Sequence, residues 1–93
     1  MKRYIKSSQT VSSGDELAEK ISNMLDKEGI AYEDCYCSEE DDDSICIVVY
    51  TPINYNVDKY VHQLIIDKFH PAEEEMRGRD DGLAATHWFL FNR

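Results

Sequence analysis

IAYEDCYC (residues 30–37), SEEDDD (38–43) and SICIVVYT (44–51) follow one another without interruption, and their reading decides the fold. The first stretch alternates and is rich in tyrosine, the third is β-branched and apolar, and the run between them is acidic. Alternation suits a pleated, half-buried strand and a polar run suits its turn, so the three together predict a β-hairpin with SEEDDD as its loop.

Outward from the hairpin, the flanks read as helices. Ser13 followed three residues later by Glu16 matches a capping box, where hydroxyl and carboxylate each satisfy an orphan backbone N–H. Leu17, Ile21, Met24 and Leu25 then recur at helical spacing, Asp15, Glu16 and Glu19 favour the positive end, and Gly29 stands where a left-handed cap belongs. This predicts a helix over about residues 14–28. Beyond the hairpin, Pro52 ends the strand. Asn54 or Asn56 can cap a second helix with a buried face of Val57, Tyr60, Val61, Leu64, Ile65 and Phe69, stopped by His70 and Pro71. Residues 72–86, with AEEEMRGRDDG, read as one helical turn and then a flexible loop around Gly78 and Gly82. HWFLF (87–91) reads as an aromatic strand, and residues 3–6, with Tyr4 and Ile5, as a candidate first strand.

The order predicts one α+β domain over residues 1–93, a two-layer sandwich of ferredoxin-like βαββαβ type. If residues 3–6 stay irregular, it becomes αββαβ with a three-stranded antiparallel sheet. Either leaves one sheet face uncovered by helices, to be solvated, dimerised or used for binding.

Composition narrows the function. Hydrophobic residues make up 42% of the 93, enough for one small core, and the formal net charge is -9. Residues 33–43 carry Glu33, Asp34, Glu39, Glu40, Asp41, Asp42 and Asp43 with no basic side chain, and a second stretch holds Glu73, Glu74, Glu75, Asp80 and Asp81. Such a surface repels free nucleic acid and anionic membrane and attracts basic protein. MKRYIKSS has no apolar core of a signal peptide, and no run of residues is long and apolar enough for a membrane span, so a soluble, cytoplasmic chain is expected. Three cysteines, Cys35, Cys37 and Cys46, are odd in number and predict free thiols.

The site chemistry weighed from these residues is modest. SEEDDD lacks the alternating ligands, central glycine and distant glutamate of an EF-hand, so no metal is expected there. A hairpin centred between Glu40 and Asp41 would set Cys35 opposite Cys46 with Cys37 on the same face, a three-sulfur patch for a soft metal. A one-residue shift of register separates them. Asp58 and His62 share a helix face, while His70 and His87 have no evident partner, so no catalytic residue and no cofactor is predicted. Tyr32, Tyr36, Tyr50, Trp88, Phe89 and Phe91 fall on predicted strands and divide between the sheet faces. DSICIVVYTP lacks the basic-Gly-aromatic signature of RNA-recognition modules, and with the charge this argues against direct nucleic-acid binding.

In size, charge and style, with its MKRYIK start, SEEDDD tip and AEEEM stretch, the chain resembles small proteins of phages and other mobile elements, among them anti-CRISPR inhibitors. The resemblance implies inhibition without catalysis, with Glu39, Glu40, Asp41, Asp42 and Asp43 standing in for phosphates in a basic nucleic-acid channel. The leading expectation is thus a non-enzymatic interaction protein for a basic partner, contacted through those five residues and Glu73, Glu74, Glu75, Asp80 and Asp81. Two alternatives remain open: a dimeric regulatory or ligand-binding domain of ferredoxin-like type, and a thiol-based metal protein using the three cysteines.

Overall fold

A computed structural model describes residues 13–52, 55–78 and 84–92. The elements run α1 (Gly14–Lys27), β1 (Asp34–Glu40), β2 (Ser44–Pro52), α2 (Tyr55–Phe69), β3 (Glu73–Gly78) and β4 (Ala84–Asn92). The candidate strand at residues 3–6, Asn54, Asp80, Asp81 and Gly82 lie outside the described residues. Among the described residues no helix is long and apolar enough to cross a membrane.

The first helix forms as its punctuation dictates. The Ser13 hydroxyl accepts from the Glu16 N–H at 3.1 Å while the Glu16 carboxylate accepts from the Ser13 N–H at 3.2 Å, closing the capping box. At the other end Gly29 takes φ 72°. The N–H of Gly29 then reaches the Asp26 carbonyl and that of Ile30 the Leu25 carbonyl, the double bond of a Schellman cap. A glycine serves there because a Cβ disfavours positive φ.

The hairpin is present, with a different register and a shorter loop than SEEDDD. Strand β1 runs on through Glu40, and Asp41 makes the turn itself: its carboxylate accepts from the Asp43 N–H at 2.9 Å and the Ser44 N–H at 2.8 Å. Cys35 therefore faces Val49 and Cys37 faces Ile47, and a bulge after Cys37 brings Glu39 opposite Cys46. The three-sulfur patch does not form: Cys35 and Cys37 pack against the core beneath α1 and Cys46 belongs to the other face. Tyr32 precedes β1 rather than lying on it, and its hydroxyl bonds that of Ser22 on α1.

The sheet is four-stranded and antiparallel throughout, in the order β1-β2-β4-β3. Residues 73–78, expected to make a helical turn and loop, are instead an edge strand on β4. The described order is αββαββ, not βαββαβ, nor αββαβ with three strands. In the expected arrangement the first strand lies between the strands flanking the second helix. Here the last strand, β4, takes that place. Residues 3–6 offer only Tyr4 and Ile5 for a central position, whereas β4 brings Phe89 and Phe91 to the core side, opposite Ile47 and Ile45.

Both helices contribute to one core, with Ala18, Ile21 and Leu25 from α1 and Val61 and Ile65 from α2 meeting Ile45, Ile47, Val49, Phe89 and Phe91. The buried face of α2 is turned from the one its apolar pattern predicts. Asp58 and His62 are buried beside Val61 and Ile65, while Val57 and Tyr60 are exposed, Tyr60 at 55%. Helix α2 begins at Tyr55, so Asn56 lies inside it.

Helix α1 meets β1 closely at its first residue. The Gly14 N–H donates to the Glu40 carboxylate at 2.9 Å, and a Cβ on Gly14 would overlap the Cys37 sulfur and stand 2.8 Å from that carboxylate. A methyl there must push the helix start off the strand and loosen the Glu40 bond. We expect Gly14→Ala to cost about 2 kcal/mol, in the usual range for overpacking. Chemical denaturation measures it; a loss below about 0.5 kcal/mol, the size of an ordinary surface change, would contradict the close packing.

Candidate functional site

Two features stand out, one on each side of the sheet. On the helix side, β4 alternates inward at His87, Phe89 and Phe91, and His87 is wholly buried where a hydrophobe would ordinarily sit. A buried polar side chain needs partners, and neighbouring elements supply them. The Thr51 hydroxyl, on β2, donates to the Asp58 carboxylate of α2 at 2.9 Å and lies 2.9 Å from His87 Nε2. His87 Nδ1 lies 3.0 Å from His62 Nδ1, and His62 Nε2 lies 2.6 Å from the Glu74 carboxylate on β3. The chain Asp58–Thr51–His87–His62–Glu74 thus links three strands and a helix, with the His62 ring also 4.7 Å from that of Phe89.

Counting donors fixes its protons. Thr51 spends its only hydrogen on Asp58, so His87 must donate from Nε2 and accept at Nδ1. His62 then donates from Nδ1 to His87 and turns Nε2 to the Glu74 carboxylate, and His87, accepting at Nδ1, is a neutral ring. Burial, with the His62 charge adding to it and Asp58 opposing, lowers His87 from its ordinary 6.5 to about 4.

The hydrogen-bonded chain exposes no nucleophile among its five members. Thr51, the one hydroxyl bonded to an imidazole among the described residues, is 1% exposed, so no substrate reaches it. Burial and the Asp34 charge push the Cys35 thiol up to about 12. Burial, Glu40 and Asp15 raise Cys37, so neither is a thiolate at neutral pH. Among the described residues no group of three or more His, Cys, Asp or Glu side chains is placed to hold a metal.

Among the described residues, no helix lies over the other side of the sheet. Register places Tyr36, Val48, Tyr50, Trp88 and Leu90 there, with Val48 buried to 2% beneath its neighbours. The Tyr36 and Tyr50 hydroxyls are 3.2 Å apart with ring centroids at 6.0 Å, and the bond to Tyr50, with burial adding to it, raises the Tyr36 phenol to about 12. Among the described residues, the carboxylates on this face are Asp34, Glu39, Glu73 and Glu75, against one cation, Arg77. Arg77 lies with its guanidinium carbon 4.8 Å from the Trp88 ring centroid and pairs with Glu75 at 2.9 Å. Between β3 and β4 the face dips into a concavity of about 130 Å³ lined by Cys46, Glu73, Glu74, Glu75, Trp88 and Leu90.

The acidic residues singled out by sequence therefore divide by role. Glu40 caps α1, Asp41 builds the turn and Glu74 ends the buried chain. Glu39, Glu73 and Glu75 rim the open face, and Asp42 and Asp43 are exposed at the tip. Residues Asp58 and His62 were legible as a helix-face pair. The burial of that pair and the arrival of Thr51, His87 and Glu74 were not, because a four-residue spacing is silent on which way the face points.

Comparison with protein-family models, with curated proteins and with solved structures finds no match for this chain.

The buried imidazole makes stability depend on pH. His87 binds a proton more weakly folded (about 4) than unfolded (6.5), so the unfolded state gains protons first as pH falls. The contribution is complete above about pH 6.5 and lost progressively down to about pH 4, an effect on the order of 3 kcal/mol. Urea titrations between pH 7 and 4 should show this slope in the native chain and a shallower one in His87→Gln. Parallel slopes would contradict the neutral His87.

Proposed function

We propose that the chain is a non-enzymatic interaction protein that engages a basic protein surface through its open sheet face and the carboxylates around it. The observation that carries this reading is a sheet face that neither α1 nor α2 covers, whose aromatic residues, Tyr36, Tyr50 and Trp88, sit among Asp34, Glu39, Glu73 and Glu75. Half-exposed aromatics supply most of the energy of protein contacts, and surrounding charge speeds encounter with the opposite sign. The same charge disfavours a second copy as occupant, because two such faces would oppose four carboxylates to four. Both edge strands are acidic, which discourages edge-to-edge pairing.

In its finer form the proposal is an inhibitor that imitates nucleic acid. The basic channel of a nucleic-acid-binding effector, as in anti-CRISPR inhibition, would receive Glu39, Asp42 and Asp43 at one end of the sheet and Glu73 and Glu75 across it in place of phosphates. Capture by tagged protein from host lysate identifies the candidate, and the purified pair then tests the claim. Affinity should fall at least about tenfold between 50 and 300 mM salt, by analogy with phosphate contacts. Glu39→Gln/Glu73→Gln/Glu75→Gln should weaken the complex by a similar factor, and the partner's own nucleic acid should compete with this chain. Affinity indifferent to salt and to the triple substitution would overturn the basic-partner reading. Binding without competition would overturn the mimic.

A further inference from the structure

The concavity of the open face is bordered at Trp88 by a cation of the protein itself. Among the described residues Arg77 is the one cation that register places on the open face, and it lies over the Trp88 ring with Glu75 holding its guanidinium. Both members of that pair are more than half exposed, at 63% and 58%, so the pairing is a loosely held surface contact of small net worth. Glu73 lies two residues along the same face and, among the described residues, makes no hydrogen bond or ion pair. Trp88, Glu73 and Glu75 therefore surround one weakly held cation, and all three also line the concavity, which Arg77 does not. At about 130 Å³ it is smaller than the several hundred Å³ of a small-molecule site and matches the head of one side chain.

We propose that this concavity and the Trp88 ring at its edge are a receptor for an arginine side chain of the basic partner, with Arg77 stacked on Trp88 in the free protein and yielding that ring on binding. The proposal rests on the basic-partner reading and names the group that is recognised. Arginine suits the site better than lysine. Its planar guanidinium stacks on an indole while its edge pairs with a carboxylate, whereas a compact, strongly hydrated ammonium gives up more water to do the same. Arg77 covers Trp88 without a partner, and exchange of one guanidinium for another preserves both the stacking and the carboxylate pairing.

Trp88 is the only tryptophan, so its fluorescence reports on the site. The probes are acetylated, amidated hexa-arginine and hexa-lysine, titrated at 50 mM salt, with calorimetry for affinity. Hexa-arginine should change Trp88 emission and bind at least about threefold more tightly than hexa-lysine. Arg77→Ala should tighten hexa-arginine binding about threefold to tenfold, the range of a surface cation–π contact. Because losing Arg77 also makes the protein more negative, the decisive comparison is a double substitution: the gain should vanish in Arg77→Ala/Trp88→Leu and persist with Asp42→Asn/Asp43→Asn. Glu73→Gln, at an exposed position, should weaken binding without disturbing the fold and serves if the Trp88 variant does not fold. If both peptides bind equally and Glu73→Gln and Arg77→Ala leave the arginine preference absent, the receptor is overturned while the basic-partner reading stands. If neither peptide binds, both fall.

Discussion

Nine residue pairs between β2 and β4, from Ser44 opposite Asn92 to Pro52 opposite Ala84, hold the molecule in register. The rest of the structure depends on this ladder because alternation ties every side chain to its parity. Odd positions, Ile45, Ile47, Val49 and Thr51 with Phe91, Phe89 and His87, point to the helices. Even positions, Cys46, Val48 and Tyr50 with Leu90, Trp88 and Thr86, point away. A slip of one residue would bury Tyr50 and Trp88 under the helices and expose Phe89 and Ile47, so burial specifies the register strongly. One ladder thus creates both the core and the open face.

The same parity puts His87 into the core, and the chain from Asp58 to Glu74 is the consequence. A buried imidazole without partners is costly, and truncating any member leaves its neighbour unsatisfied. What the chain gains is specificity of assembly. Helix α2 must present Asp58 and His62, not Val57 and Tyr60, and β3 must bring Glu74 to His62. An apolar replacement would favour burial of either face of α2. The polar one distinguishes them, as buried polar groups do where they set register. By docking β3 at the sheet edge, the chain also positions Glu73, Glu75 and Arg77 on the opposite face, so the interior network and the open face are mechanically linked.

Sequence reading was strongest where structure is local. The capping box at Ser13 and Glu16, the left-handed Gly29 and the strand of residues 44–52 follow from propensity and patterning within a few residues. It failed where distant residues decide. Glu40 looked like a loop charge because nothing nearby in sequence reveals the Gly14 N–H that it caps. The hairpin centre moved because the Asp41 side chain closes the turn. EEEMRG read as a helical turn and the start of a loop, yet an edge strand with one face in water and Glu74 satisfied by His62 needs little apolar surface. The site was half legible: the acids and aromatics were visible, but which shared a face waited on the register.

The central claim is that the ladder separates a structural interior from a contact face for cationic side chains. The most direct test is a map of backbone amide shifts in the isotope-labelled protein during titration with hexa-arginine. The account predicts changes clustered at Tyr36, Val48, Glu73, Glu75, Trp88 and Leu90. Changes centred on Val57 and Tyr60 of α2, or confined to Asp42 and Asp43, would contradict it.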